Sequence, residues 1–109
     1  MELTISTRTD GAFTVVQVGG EIDMFTATEL RETLHARLAE NVTSLAIDVN
    51  DVEFCDSTGL GVIIGVLRRL RESGGRLIIM CAQPQMLKIF QLTGLDTVLD
   101  IRTELPADG

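Results

Sequence analysis

The sequence predicts an α/β domain with a mixed β-sheet and about three helices, in the order β-β-α-β-α-β-α-β. The chain opens with two short alternating segments separated by Asp10-Gly11, a pair that favours a hairpin because both residues tolerate positive φ. Short apolar runs then alternate with segments in which apolar residues recur at helical spacing. The first two strands are therefore expected to pair antiparallel, and the later strands to be parallel and joined by right-handed crossovers.

The first half of the chain contains three predicted strands and one helix. The hairpin strands cover residues 3–7 and 13–18, and a short, mostly apolar strand of the kind buried in a parallel sheet covers residues 45–49. Between them, Thr26 and Glu29 have the spacing of a capping box and predict a helix over residues 27–40. The apolar stripe of this helix consists of Ala27, Leu30, Leu34 and Leu38.

The second predicted helix is rich in glycine. It begins at Ser57 or Thr58 and ends near residue 72, and its glycines each cost about 1 kcal/mol relative to alanine. Such a helix must gain stability from a close approach of its backbone to the sheet or to a partner. Its glycines are Gly59, Gly61 and Gly65, and its apolar side consists of Leu60, Ile63, Ile64, Leu67 and Leu70.

The last part of the chain predicts a strand over residues 76–81, a third helix and a final strand over residues 97–101. Proline in the first turn after Gln83 favours a helix start, and Gly94 matches a glycine stop. The apolar face of the third helix is Met86, Leu87, Ile89 and Phe90. One domain is expected over residues 1–109, with residues 103–109 as a frayed tail.

Composition excludes several classes of function. The 109 residues carry a net charge of −7 and include no tryptophan or tyrosine, which disfavours nucleic-acid binding because that needs basic surfaces and aromatic rings. The longest apolar stretch, residues 59–67, is too short to span a membrane, and no secretory signal opens the chain. Cys55 and Cys81 stand alone in apolar segments, which predicts reduced, buried thiols in the cytoplasm rather than a disulfide or metal site.

The residues needed for most catalytic sites are missing. His35 is the single histidine, it lies on the outer part of the first helix, and no local pattern places it beside a nucleophile. No cofactor motif fits, since the glycines at residues 59–65 lie too far beyond the preceding strand for a dinucleotide-binding turn. The sequence therefore predicts a binding protein rather than an enzyme.

Ser57 and Thr58 form a hydroxyl pair at the start of the glycine-rich helix, directly after Asp56. Two interpretations stay open at this point. Asp56 or Ser57 caps the helix, which is the ordinary role of such residues. Alternatively, Ser57 is a modification site, because a helix N-terminus accommodates a phosphate without unfolding.

Acidic residues are concentrated in the middle of the chain. Residues 21–56 contain nine acids and two bases, whereas the other residues balance seven acids against seven bases. The topology predicts that the loop with Glu21 and Asp23 lies beside Asp56, at neighbouring strand ends. An acidic edge would then surround Ser57 and suit a basic protein partner.

The segments Gly20-Glu21-Ile22-Asp23 and 56–61 resemble the STAS domain of bacterial anti-sigma factor antagonists, and the resemblance covers nearly the whole chain. It implies the STAS fold and a switch in which an anti-sigma factor with serine kinase activity phosphorylates Ser57. A metal-dependent serine phosphatase removes the phosphate, and only the unmodified form binds the anti-sigma factor and releases sigma. The partner-binding residues implied by the resemblance are Glu21, Asp23, Asp56, Thr58, Gly59, Leu60 and Gly61.

Two alternatives to this function stay open at this point. One is a STAS scaffold subunit of a stress-signalling complex or a lipid-transport system, in which Ser57 is only a cap. The other is a small enzyme or nucleotide hydrolase that uses Asp56 and Ser57. Members of the family usually end with a fourth helix, which is not expected here, so one face or edge of the sheet is expected to have less cover.

Overall fold

The structure, a computed structural model, describes residues 2–106 and confirms the predicted element order and mixed sheet. Five strands are found in this range, in the spatial order β1-β2-β3-β4-β5. β1 pairs antiparallel with β2, and the other neighbours pair parallel. The strands are β1 (Leu3–Asp10), β2 (Phe13–Ile22), β3 (Ser44–Cys55), β4 (Arg76–Met80) and β5 (Asp100–Arg102). The helices are α1 (Ala27–Ala39), α2 (Ser57–Glu72) and α3 (Pro84–Leu92), followed by a 3₁₀ turn (Leu95–Thr97).

The main hydrophobic core lies between the sheet and the three helices. All four residues of the predicted α1 stripe are buried, which confirms that prediction. Of the predicted α3 face, Met86 and Phe90 are fully buried, and Leu87 and Ile89 are half-buried against the core. None of the described helices has the length and apolarity needed to cross a bilayer.

The buried side of α2 agrees with the prediction at Ile63, Leu67 and Leu70 and differs from it at other positions. Val62 and Val66 are buried, whereas Leu60 and Ile64, which the predicted apolar side included, are only half-buried. Gly59 is also buried, at the start of the helix and on the same side as Ile63. An ideal Cβ on Gly59 would lie 2.5 Å from Ile22 Cγ2 and 2.7 Å from Cys55 Sγ, so only glycine fits without displacement.

The opposite sheet face carries a smaller cluster of fully buried side chains. It consists of Phe13, Val15, Ala46 and Ile78, and Met80 and Leu105 pack against it. The guanidinium carbon of Arg76 lies 4.6 Å from the centroid of the Phe13 ring, in cation–π geometry. Leu105 therefore gives this face part of its cover. The expected frayed tail falls partly on residues 107–109, which lie outside the described residues.

The prediction of the last strand was wrong in position. β5 covers residues 100–102 instead of 97–101 because the chain makes a 3₁₀ turn after α3. Gly94 has φ 76°, and the backbone N–H and hydroxyl of Thr97 both donate to the Gly94 carbonyl, at 3.2 and 2.7 Å. These bonds hold Thr97 in the turn, so pairing with β4 starts only at Asp100.

The two glycines of α2 provide a matched pair of substitutions. Gly59→Ala is expected to destabilise the domain by about 1–3 kcal/mol, because the new methyl group would overlap Ile22 and Cys55. Gly61→Ala places the same methyl group where no atom lies within 4 Å, and is expected to stabilise the helix by about 0.5–1 kcal/mol. Urea denaturation of both variants and the wild type measures this; equal effects would contradict the packing assigned to Gly59.

Candidate functional site

The candidate site lies where two neighbouring parallel strands end. Ile22 at the end of β2 pairs with Cys55 at the end of β3, and the backbone N–H of Asp56 donates to the Ile22 carbonyl at 3.1 Å. Asp23 and Asp56 are therefore the first residues beyond adjacent strand ends. The predicted juxtaposition of the Glu21–Asp23 loop with Asp56 is confirmed.

Asp56 caps α2. Its backbone is extended, and its Oδ1 accepts hydrogen bonds from the backbone N–H groups of Thr58 at 2.9 Å and Gly59 at 3.2 Å. These are the second and third N–H groups of the helix, the usual partners of a capping side chain. Of the two residues considered for this role, the cap is Asp56 and not Ser57.

Ser57 occupies the first position of α2 and is exposed. Within residues 2–106, no hydrogen-bond partner is found for its hydroxyl. The hydroxyl can therefore rotate freely and is open to a reagent or an enzyme from solvent. Thr58 and Leu60 are half-buried, and Gly61 is exposed. Gly59 is buried against Ile22 and Cys55, so it acts through packing and not as part of an exposed docking backbone.

A compact turn over residues 23–26 joins β2 to α1. The Asp23 Oδ1 accepts from the backbone N–H of Phe25 at 2.8 Å and of Thr26 at 3.0 Å. The Thr26 hydroxyl accepts from the Asp23 N–H at 2.9 Å and donates to the Glu21 carbonyl at 2.8 Å. The predicted capping box with Glu29 is wrong, because these local bonds use the Thr26 hydroxyl and leave it making no cap bond.

The same bonds affect the ionisation of Asp23. The N–H of Thr26, and then that of Phe25, stabilise the carboxylate and lower the pKa of Asp23 below its usual value. Asp23 is therefore fully ionised at neutral pH, and its negative charge is directed at the turn that it organises.

Large apolar side chains are exposed at this edge, a feature that the reasoning from the sequence missed. Met24 is 66% and Phe25 83% exposed, both in the turn after β2. Phe54 is 48% exposed and pairs in register with Glu21. The signal in the sequence was an apolar pair between a strand end and a helix start, outside the periodicity of either element.

The cysteine below the site has an unreactive thiol. Cys55 is buried, and burial, followed by the nearby charge of Asp56, raises the pKa of its thiol to about 12. Cys81 is also a buried free thiol. Among residues 2–106, no group of three or more histidine, cysteine, aspartate or glutamate side chains could hold a metal ion.

His35 lies away from the site, toward the other end of α2. Arg69 Nη1 donates to His35 Nδ1 at 2.7 Å, in a contact between α1 and the last turn of α2. Burial, and then the charges of Arg69 and Arg31, lower the pKa of His35. Its half-buried imidazole is thus neutral at physiological pH and bound to an arginine, not a lone solvated ring as the sequence suggested.

Comparison with known proteins agrees with this fold. The STAS domain model matches residues 4–106. An anti-sigma-B factor antagonist of Staphylococcus aureus is 33% identical over 101 residues, which cover 93% of this chain and 94% of that protein. The chain belongs to the STAS domain family.

Two solved structures are similar. The crystal structure of an anti-sigma factor antagonist from Mycobacterium paratuberculosis has a TM-score of 0.86 and 31% identity, covering 95% of this chain and 88% of that one. The Bacillus cell fate determinant SpoIIAA in its phosphorylated form has a TM-score of 0.67 and 26% identity, covering 93% of each chain.

The cap assignment predicts different effects for two adjacent substitutions. Asp56→Ala removes both cap bonds and is expected to destabilise the domain by about 1 kcal/mol. Ser57→Ala removes no hydrogen bond of the described structure and is expected to change the stability by less than about 0.5 kcal/mol. Thermal and urea unfolding followed by circular dichroism measure both; a larger loss for Ser57→Ala would reverse the assignment.

Proposed function

We propose that this chain is an anti-sigma factor antagonist of the cytoplasm that phosphorylation of Ser57 switches off. The unmodified form binds an anti-sigma factor with serine kinase activity, which releases sigma, and a serine phosphatase restores this form after modification. The observation that carries the proposal is the free, exposed hydroxyl of Ser57 beside a cap that Asp56 already provides. Ser57 has no structural task that modification would disrupt.

The surface around Ser57 suits a close protein contact. Gly61 lies one helical turn beyond Ser57, is exposed, and has no atom within 4 Å of an ideal Cβ. A partner can therefore approach the α2 backbone there more closely than at any side chain. Leu60, half-buried beside it, adds apolar surface, and Glu21, Asp23 and Asp56 supply negative charge for a basic partner.

Phosphorylation would change this surface without unfolding the helix. A phosphoserine adds about −1.5 to −2 charges at pH 7. The Asp56 carboxylate already accepts from the N–H groups of Thr58 and Gly59, so these donors are not available to the phosphate. The negative charge of Asp56 would also repel the phosphate and direct it outward. In the complex with the anti-sigma factor, the phosphate would have to lose its hydration and would be repelled by nearby negative charges, and both effects would weaken binding. A loss of about 1.4 kcal/mol weakens binding tenfold.

The relatives support this proposal. The S. aureus protein, similar over 93% of this chain, is named an anti-sigma-B factor antagonist. The SpoIIAA structure shows that a protein of related fold and 26% identity exists in a phosphorylated form.

Incubation with ATP and a purified anti-sigma factor kinase of the source organism is expected to add one phosphate to the wild type and none to Ser57→Ala. Mass spectrometry of the intact proteins and of their peptides measures this. Thr58→Ala is the matched control and should still be modified. No phosphate on the wild type would contradict the proposed switch and favour a scaffold role, whereas a phosphate on Thr58 in place of Ser57 would contradict the assignment of Ser57 as the acceptor.

A charge at residue 57 is expected to weaken the complex. Ser57→Asp should raise the Kd for the anti-sigma factor by about tenfold or more, whereas Ser57→Ala should bind constitutively in the presence of ATP. Isothermal titration calorimetry measures both. Gln91→Glu is the control, since it adds one negative charge at an exposed position of α3. Equal affinities for Ser57→Asp and Gln91→Glu would exclude a local electrostatic switch.

A further inference from the structure

Met24 and Phe25 form an exposed apolar tip next to the phosphorylation site. Both side chains are mostly in water, although phenylalanine and methionine are normally buried residues. Exposed apolar residues that cluster beside a functional site are typical of contact surfaces. The tip is thus a feature that folding alone does not explain.

The backbone of the tip is held in one conformation. Four hydrogen bonds among Glu21, Asp23, Phe25 and Thr26 close the turn from both sides. The turn is also anchored to α1, because the Ala27 N–H donates to the Asp23 carbonyl at 2.8 Å. A loop already ordered in this way loses little conformational freedom on binding, so more of the contact energy appears as affinity.

The tip lies at the same edge as Ser57, since α1 and α2 both begin where β2 and β3 end. Asp56 is bonded to Ile22, one residue before the turn. The carboxylates around the tip belong to Glu21, Asp23 and Asp56, and no basic residue lies between residues 9 and 30. An apolar projection surrounded by negative charge fits an apolar pocket with basic residues at its rim.

We propose that Met24 and Phe25 are the main apolar anchors for the anti-sigma factor, which buries them in a pocket bordered by basic side chains. This inference rests on the proposed function and assigns the specificity of that contact to the tip. It also changes the role of Asp23. Asp23 contributes chiefly by holding the turn through its Oδ1, and its charge is secondary.

The test compares Phe25→Ala with the wild type by calorimetry against the purified anti-sigma factor kinase. Phe25→Ala is expected to raise the Kd by about thirtyfold, the effect of losing an aromatic hot spot. In the kinase reaction the same variant should raise the KM for this substrate and leave kcat nearly unchanged, because Ser57 itself is intact. Leu92→Ala is the matched control, since Leu92 is 77% exposed on α3, outside the site.

Two substitutions of Asp23 separate its geometry from its charge. Asp23→Asn keeps an oxygen that can accept from Phe25 and Thr26 but removes the charge, and is expected to bind within about threefold of the wild type at moderate salt. Asp23→Ala removes the acceptor and should weaken binding as much as Phe25→Ala. Equal weakening by both Asp23 variants would overturn the positioning role.

The outcomes distinguish the two proposals. If the wild type binds and Phe25→Ala binds equally well, the tip is not the anchor, although the proposed function stands. If the wild type neither binds nor is phosphorylated, the proposed function fails and this inference fails with it. If sedimentation shows a wild-type dimer that Phe25→Ala converts to monomer, the tip contacts a second copy and the proposal is overturned. Circular dichroism checks that each variant is folded.

Discussion

The site depends on the hydrogen bonds of one carboxylate. The Asp56 carboxylate accepts from N–H groups in the first turn of α2, and the Asp56 N–H donates to the Ile22 carbonyl at the end of β2. A single residue therefore links the start of the helix to the sheet. This link starts α2 at Ser57 and sets Gly59 against Ile22 and Cys55. Because the Asp56 carboxylate accepts from the N–H groups at the start of α2, the hydroxyl of Ser57 is not needed to cap the helix. A residue whose side chain does not stabilise the fold can be chemically modified without unfolding the domain.

The order of the strands and helices could be predicted from the periodicity of the sequence. The proximity of the Glu21–Asp23 segment to Asp56 could be predicted because neighbouring parallel strands end at the same edge of the sheet. Other features depend on competition between local interactions. Thr26 and Glu29 have capping-box spacing, yet Asp23 and Glu21 engage the threonine hydroxyl first. The close contact of Gly59 with Ile22 and Cys55 is likewise a feature that spacing alone does not reveal. The displaced last strand has the same kind of origin, since Gly94 and Thr97 form a turn before pairing begins.

The candidate site was predicted as acidic residues and the glycine-rich helix start around a serine, and the exposed apolar pair was missed. Composition predicts that apolar residues lie in the core, and the position of Met24 and Phe25 between a strand and a helix does not by itself indicate their exposure. The structure shows that the two kinds of residue are coupled: the carboxylate of Asp23 holds the backbone that presents Phe25. In the proposed complex, charge would provide attraction over a distance and the rigid apolar tip would provide selectivity at contact.

The buried thiol of Cys55 lies beneath Gly59, and its protonation state determines how readily oxidants can attack it. Hydrogen peroxide and electrophiles attack thiolates, and with a pKa of about 12 Cys55 holds its proton throughout the physiological range. This sulfur lies within a few ångströms of the helix start and, as a buried and protonated thiol, is a poor target for such reagents. The contact between Gly59 and Cys55 at the start of α2 is thereby protected from oxidation of this thiol.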